Sequence, residues 1–104
     1  MVKITPTLRK TVKEYYEYHG CKRAIPIRFV TNKNSAGYSI GDEKVGGYPL
    51  LLVRFIDEDG DEMSSLMEFE LWKDGHWELE EDAWCLTSRE ENMIRNFENS
   101  RMFR

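Results

Sequence analysis

Residues 50–80 read LLLVRFIDEDGDEMSSLMEFELWKDGHWELE, and this stretch decides the fold. It contains runs in which apolar and polar residues alternate, which is the period of a half-buried β-strand. Two Asp-Gly pairs, at 59–60 and 74–75, separate these runs. Asp and Gly are typical turn residues, because glycine adopts positive φ without steric cost and Asp hydrogen-bonds its own backbone. The stretch therefore predicts two consecutive β-hairpins.

The second hairpin shows which turn type fits the side chains. A two-residue turn would pair Leu71 with Glu78 and so mix core with solvent positions, whereas a three-residue loop over 73–75 pairs Leu71 with Trp77. Because a slip of one residue moves every side chain to the other face, a half-buried sheet requires the second register. That register also places Gly75 at the left-handed position of a type I turn followed by a G1 bulge.

The first turn obeys the same rule. A three-residue loop over 58–60 pairs Phe55 with Met63 and Leu51 with Met67. The two hairpins then agree on one apolar face of the sheet. The predicted members of that face are Leu51, Val53, Phe55, Met63, Met67, Phe69, Leu71, Trp77 and Leu79.

The opposite face of the second hairpin carries the candidate functional residues. Glutamates oppose each other there, and directly opposed like charges destabilise a sheet. The predicted pairs are Glu68 with Glu80, Glu70 with Glu78, and Trp72 with His76, with Trp84 as a further exposed aromatic. Three interpretations stay open: a solvated face, an acidic patch with an aromatic rim for a basic partner, and a carboxylate pair for acid–base chemistry.

Elements at both ends complete the predicted domain. Thr5-Pro6 starts a helix that Gly20 ends, with Leu8, Val12, Tyr15, Tyr16 and His19 at helical spacing. Residues 24–31 form a strand in which Ile25, Ile27 and Phe29 alternate with Pro26, Arg28 and Val30, and the proline indicates an edge or a bulge. A long connection that includes a short strand at 38–40 comes next, and strands over about 48–56, 62–72 and 76–81 follow it. Residues 89–99 form a last helix, for which Ser88 and Glu91 fit a capping box.

We therefore expect residues 1–104 to form a single α+β domain. It consists of an antiparallel β-meander of about four strands, packed by the N-terminal helix, with the short C-terminal helix beside that helix. No apolar run has the roughly 18 residues of a membrane span, and the N-terminus has no apolar signal segment, which predicts a cytoplasmic protein without membrane contact.

Charge is distributed unevenly along the chain. Residues 1–35 carry eight Lys or Arg and two Glu, whereas residues 36–104 carry seven basic and seventeen acidic residues. Such a split can mark a nucleic-acid surface, or the two halves can neutralise each other in the fold. The candidate nucleic-acid-binding residues are Lys10, Lys13, Lys22, Arg23 and Arg28. The overall charge of −4 argues against nucleic-acid binding by the whole domain.

Motifs for catalysis, cofactors and metals are missing from the sequence. The acidic turn around Gly60 differs from an EF-hand, which requires its glycine at position 6 rather than position 4. His19, Cys21, His76 and Cys85 lack zinc-ligand spacing, and the two cysteines are expected to be reduced thiols. We expect no cofactor and no metal.

The predicted function is that of a small acidic non-catalytic protein that inhibits or neutralises a macromolecule, most simply a protein with a basic surface. Toxin-immunity proteins and phage-encoded inhibitors of host defence are of this physical type. The alternatives are a nucleic-acid-binding accessory protein, and a small-ligand or enzymatic pocket between helix and sheet.

Overall fold

The computed structural model describes residues 4–32, 38–40, 43–45, 48–72, 74–82 and 88–98. The elements are α1 (Pro6–Tyr18), β1 (Arg23–Asn32), β2 (Tyr38–Ile40), β3 (Glu43–Val45), β4 (Tyr48–Ile56), β5 (Glu62–Leu71), β6 (Trp77–Asp82) and α2 (Ser88–Glu98). Strands β1, β4, β5 and β6 form one antiparallel sheet in that order, and β2 pairs with β3. The predicted α+β class is confirmed. Neither described helix is long and apolar enough to cross a membrane.

Helix α1 begins and ends at the predicted signals. The Oγ1 atom of Thr5 accepts a hydrogen bond from the Leu8 N–H at 3.1 Å, and Pro6 occupies the first helical position. At the other end Gly20 has a φ of +86°, and the Cys21 N–H donates to the Tyr16 carbonyl at 2.9 Å. Glycine adopts this positive φ at little cost and so ends the helix cleanly.

The buried stripe of α1 is shorter than its sequence period suggests. Leu8, Val12 and Tyr16 are buried against the sheet, and the Tyr16 ring lies 4.7 Å from the Phe55 ring between centroids. His19 is exposed instead of buried, because the helix already ends at Tyr18 and His19 is its C-cap. The prediction that His19 continues the apolar stripe is therefore wrong.

Both hairpins have the predicted register. Phe55 pairs with Met63 across β4 and β5, and Leu71 pairs with Trp77 across β5 and β6. Gly60 and Gly75 both have a φ of +89°, as the G1 bulge requires. The sequence rule that joined apolar residues on one face thus found the correct turn type twice.

The acidic turn between β4 and β5 is stabilised by one of its own carboxylates. Oδ1 of Asp57 accepts hydrogen bonds from the backbone N–H groups of Asp59 at 3.0 Å and Asp61 at 2.9 Å. This is the local side-chain-to-backbone bonding that favours Asp in turns. At least one carboxylate of this turn is therefore engaged in forming the hairpin.

Edge strand β1 contains a bulge that the simple alternation does not anticipate. The register shifts between Pro26, which pairs with Val53, and Arg28, which pairs with Leu52. The proline thus lies both on an edge strand and beside a bulge, as expected. The extra residue, Ile27, changes the phase of the strand. Ile25, Ile27 and Phe29 therefore do not share one face, and Phe29 instead packs with the α1-facing core.

The sheet is covered on both faces. The first core cluster lies under α1 and contains eight of the nine predicted apolar residues, buried or partly buried; Met63 is not in it. A second cluster of Leu50, Leu52 and Leu66 lies on the opposite face, where Met93 and Ile94 of α2 pack against it. Helix α2 therefore does not lie beside α1. The sheet separates the two helices because β4 is apolar on both sides.

The second face also buries an arginine. Arg54 has no solvent exposure, and its guanidinium donates to Ser64 Oγ at 2.9 Å and to Glu62 Oε2 at 3.1 Å. A buried charge requires a hydrogen-bonded counter-charge of this kind. Arg54 is thus an internal structural residue and does not contribute to the surface charge.

Candidate interaction surface

The end of the β5–β6 hairpin brings together most of the predicted partner-binding residues. Glu70 pairs directly with Glu78, as predicted, with Glu70 half-buried and Glu78 exposed. Side chains alternate along β5, so Glu70 lies on the same face as Leu66, the face that α2 covers further along the strand. Directly opposed like charges repel each other, which lowers the stability of the sheet at this pair.

Trp72 and His76 form an aromatic platform at the tip of this hairpin. The two rings are nearly parallel, at an angle of 9°, with their centroids 5.4 Å apart. The Trp72 N–H donates to the His76 carbonyl at 3.0 Å, which fixes the backbones on which the rings stand. The Trp72 residue remains 45% exposed, so the platform offers a large apolar surface to the solvent. Offset stacking at this distance is favourable and holds the indole in one orientation.

Asp74 completes the tip and was missed as a site residue in the sequence. Its Oδ1 accepts the His76 backbone N–H at 3.1 Å and also hydrogen-bonds Nδ1 of the His76 ring. On the other side of the ring, Nε2 lies 3.6 Å from Glu78 Oε1. The imidazole is therefore held between two carboxylates. The sequence Asp74-Gly75-His76 could have indicated this role, since the side chain of an Asp in a turn commonly accepts a hydrogen bond from the backbone N–H two residues later.

The carboxylates around His76 change its protonation. The hydrogen bond that the His76 ring donates to the Asp74 carboxylate raises the pKa of His76 above its usual 6.5, with a further contribution from Glu78. The backbone and side-chain hydrogen bonds from His76 lower the pKa of Asp74 below 3.8. Both groups are well exposed, so solvent screens the interaction. The shift favours the imidazolium form of His76 relative to that of a free histidine.

We name Glu70, Trp72, Asp74, His76 and Glu78 the hairpin patch. Three other predicted members, Glu68, Glu80 and Trp84, have a different status. The register of β5 with β6 shifts by one residue between Phe69, which pairs with Leu79, and Met67, which pairs with Asp82. A bulge in β6 therefore replaces the simple Glu68–Glu80 pair that a uniform register predicts. Trp84 lies outside the described residues.

The predicted nucleic-acid-binding residues are not gathered on one surface. Lys10 and Lys13 lie on the exposed side of α1, each 3.9 Å from the glutamate one turn later, Glu14 and Glu17 respectively. These pairs give α1 an outer side of mixed charge instead of a purely basic one. Such exposed pairs stabilise a helix only slightly.

The remaining basic candidates lie just before β1 and within it. Lys22 lies beside the acidic turn, where a methyl group added to Gly60 would be 3.8 Å from its Nζ. Arg23 is exposed at the start of β1. Arg28 lies on the α2 side of the sheet, because it pairs with Leu52 of the second core cluster. At Lys22 the basic and acidic parts of the chain therefore meet within the fold.

The predicted pocket between helix and sheet is occupied by side chains. Leu8, Val12 and Tyr16 of α1 meet Leu51 and other buried residues of the sheet in one close-packed cluster. Close packing of this kind leaves little room for a ligand.

Metal-binding groups do not cluster in the part of the chain that the structure describes, in which no three His, Cys, Asp or Glu residues are arranged to hold an ion. Cys21 is half-buried and packs against the first core cluster. Cys85 lies outside the described residues.

No family model matches the chain, and no similar protein was found among curated protein sequences or solved structures.

Proposed function

We propose that this chain is a small non-catalytic binding protein of the cytoplasm, which inhibits or neutralises a protein partner by covering a basic surface of that partner. Phage-encoded inhibitors of host defence and toxin-immunity proteins act in this physical manner. The observation that carries the proposal is the exposed Trp72, stacked on His76 beside the opposed Glu70 and Glu78.

The aromatic platform supplies the binding energy in this proposal. Tryptophan is enriched among the residues that dominate interface energetics, because its ring buries a large area on contact. The ring of Trp72 is already oriented by its stacking on His76. Little side-chain freedom is therefore lost when a partner covers it, and pre-organisation of this kind favours tight binding.

The glutamates supply the preference for a basic partner. Glu70 and Glu78 repel each other in the isolated protein, and an Arg or Lys of the partner placed between them would turn this repulsion into attraction. The net charge of −4 adds a long-range field that attracts a positive surface. Binding should therefore be faster and tighter at low ionic strength.

The experiment is a differential capture from a lysate of the native host. Immobilised wild-type protein is compared with the variant Glu70→Lys/Glu78→Lys, and captured proteins are identified by mass spectrometry. The matched control is Glu14→Lys/Glu17→Lys, which makes the same charge change at exposed positions of α1. A basic protein retained by the wild type and the control but lost from the patch variant is the expected result.

A partner that the patch variant retains equally would refute the proposed surface. A partner lost equally from both double variants would show that only net charge matters. Inhibition is then tested on the captured protein's own activity, which should fall in stoichiometric proportion to the wild-type protein added.

A further inference from the structure

An open groove of about 520 Å³ lies between α2 and the edge strand β1, away from the hairpin patch. Arg89, Asn92, Met93 and Asn96 line it from α2, and Arg28 lines it from β1. The four helical residues are spaced i, i+3, i+4 and i+7, so they lie on one side of the helix. Strands β1 and β6 are opposite edges of the sheet, which separates this groove from the hairpin patch.

The bulge in β1 turns Arg28 into the groove. Ile27 packs with the second core cluster, and Arg28 pairs with Leu52 of that same cluster. Two consecutive residues therefore lie on one face, whereas a regular strand would place Arg28 on the α1 side. Bulges commonly redirect a side chain at a functional site in this way.

The lining groups have the chemistry of an anion site. Both arginines are exposed, and none of the five described lining residues is acidic. A guanidinium presents N–H donors in a planar fork that matches two phosphate oxygens. Asn92 and Asn96 each add a carboxamide, which both donates and accepts hydrogen bonds and can pair with the edge of a nucleobase. Met93 supplies an apolar floor and is held in place because it also packs against the core.

We propose that this groove binds a nucleoside phosphate, with Arg28 and Arg89 on the phosphate and the two asparagines on the base. The same chemistry is presented by a free nucleotide and by a terminal nucleotide of a single strand. The groove is independent of the protein partner proposed for the hairpin patch, since it lies at the other edge of the sheet.

The test is an NMR titration of ¹⁵N-labelled protein at low ionic strength with three probes: inorganic phosphate, ATP and a short oligo(dT). The Arg Nε–H signals and the Asn side-chain amide signals of the groove should shift with ATP or with oligo(dT). A tighter affinity for oligo(dT) that falls steeply with salt identifies strand binding. Equal affinity for the two probes identifies a mononucleotide site.

Two variants make the test specific. Arg28→Gln/Arg89→Gln should weaken binding about tenfold or more, since each arginine provides charge-assisted hydrogen bonds. The matched control, Arg9→Gln/Lys10→Gln, removes two exposed positive charges from α1 and should leave the affinity nearly unchanged. Asn92→Ala/Asn96→Ala should weaken ATP binding while leaving phosphate binding as it was.

Three results would overturn the proposal. The first is affinity weaker than about 1 mM for both ATP and oligo(dT). The second is an equal loss in the arginine variant and its control, which would indicate diffuse electrostatics. The third is binding of inorganic phosphate alone. All substituted side chains of α1 and the groove arginines and asparagines are exposed, so the backbone spectrum should confirm that each variant remains folded.

Discussion

Glu62→Gln should destabilise the protein by about 3 kcal/mol, because it removes a counter-charge that lies against a fully buried arginine. Arg54 has no solvent exposure, and its Nη2 lies 3.1 Å from Glu62 Oε2. Removing one partner of a buried ion pair typically costs about 3–5 kcal/mol, since the remaining charge stays desolvated. The Glu62 side chain retains 17% exposure and Ser64 still accepts from Arg54, so the lower end of that range applies.

The assay is equilibrium urea denaturation followed by tryptophan fluorescence, with far-UV circular dichroism as a second probe. The matched control is Glu14→Gln, which makes the same chemical change in an ion pair of 3.9 Å whose glutamate is 65% exposed. This control should cost at most about 0.5 kcal/mol. A loss below about 1 kcal/mol for Glu62→Gln, or a loss equal to that of the control, would refute the reasoning.

A double replacement tests the same ion pair by removing both of its charges. Arg54→Met/Glu62→Leu removes both charges of this ion pair together. The double variant should recover most of the stability that Glu62→Gln loses, because replacing both members of a buried ion pair with apolar residues is often neutral. A double variant less stable than Glu62→Gln would show that the ion pair itself contributes net stability.

Three further predictions follow from the hairpins and the second core. Asp74→Asn should lower the pKa of His76, measured by NMR titration of the ring, because the hydrogen bond that the ring donates to the Asp74 carboxylate is the largest cause of the raised pKa. An unchanged titration midpoint would contradict this. Because the pKa of His76 is higher in the folded protein than in the unfolded chain, the stability gained from His76 is present below pH 6.5. It is lost as the pH rises through the pKa of the folded state. Gly75→Ala should lower the free energy of unfolding, measured by urea denaturation, by about 1–2 kcal/mol. The loss comes from the φ of +89° alone, because an added methyl meets nothing within 4 Å. An unchanged free energy of unfolding would show that residue 75 does not have a positive φ. Leu52→Ala should lower the free energy of unfolding by about 2–5 kcal/mol, and it should speed amide hydrogen exchange in α2, because α2 packs against the cluster that contains Leu52. Unchanged exchange rates would mean that α2 does not depend on this cluster.

The register of the hairpins could be predicted because its determinants are local. Glycine positions and strict alternation act over a few residues, and both survive in the folded sheet. The pairing of Glu70 with Glu78, and the adjacency of Trp72 to His76, followed directly from that register. The tip of the candidate site was thus accessible from the sequence, except for Asp74, whose role depends on the turn conformation.

The second core required information that alternation does not carry. Residues 50–53 are continuously apolar, which is typical of a strand buried on both faces. The alternation rule used only Leu51 and Val53 and left Leu50 and Leu52 without a role, so the position of α2 was missed. Pro26 indicated the bulge in β1 but not the change of phase that follows it, and the bulge in β6 was hidden, since an extra residue in a ladder depends on the partner strand.

The most direct test of the central claim is the dissociation constant of the captured basic partner for the Trp72→Ala variant. Trp72 is 45% exposed on its platform, and the account makes it the anchor of the interface. Its removal should raise the Kd about 30-fold or more, the effect of an interface residue worth about 2 kcal/mol. Tyr18→Ala is the matched control, since Tyr18 is an 88% exposed aromatic on α1. An unchanged Kd for Trp72→Ala, or an equal loss for Tyr18→Ala, would contradict the account.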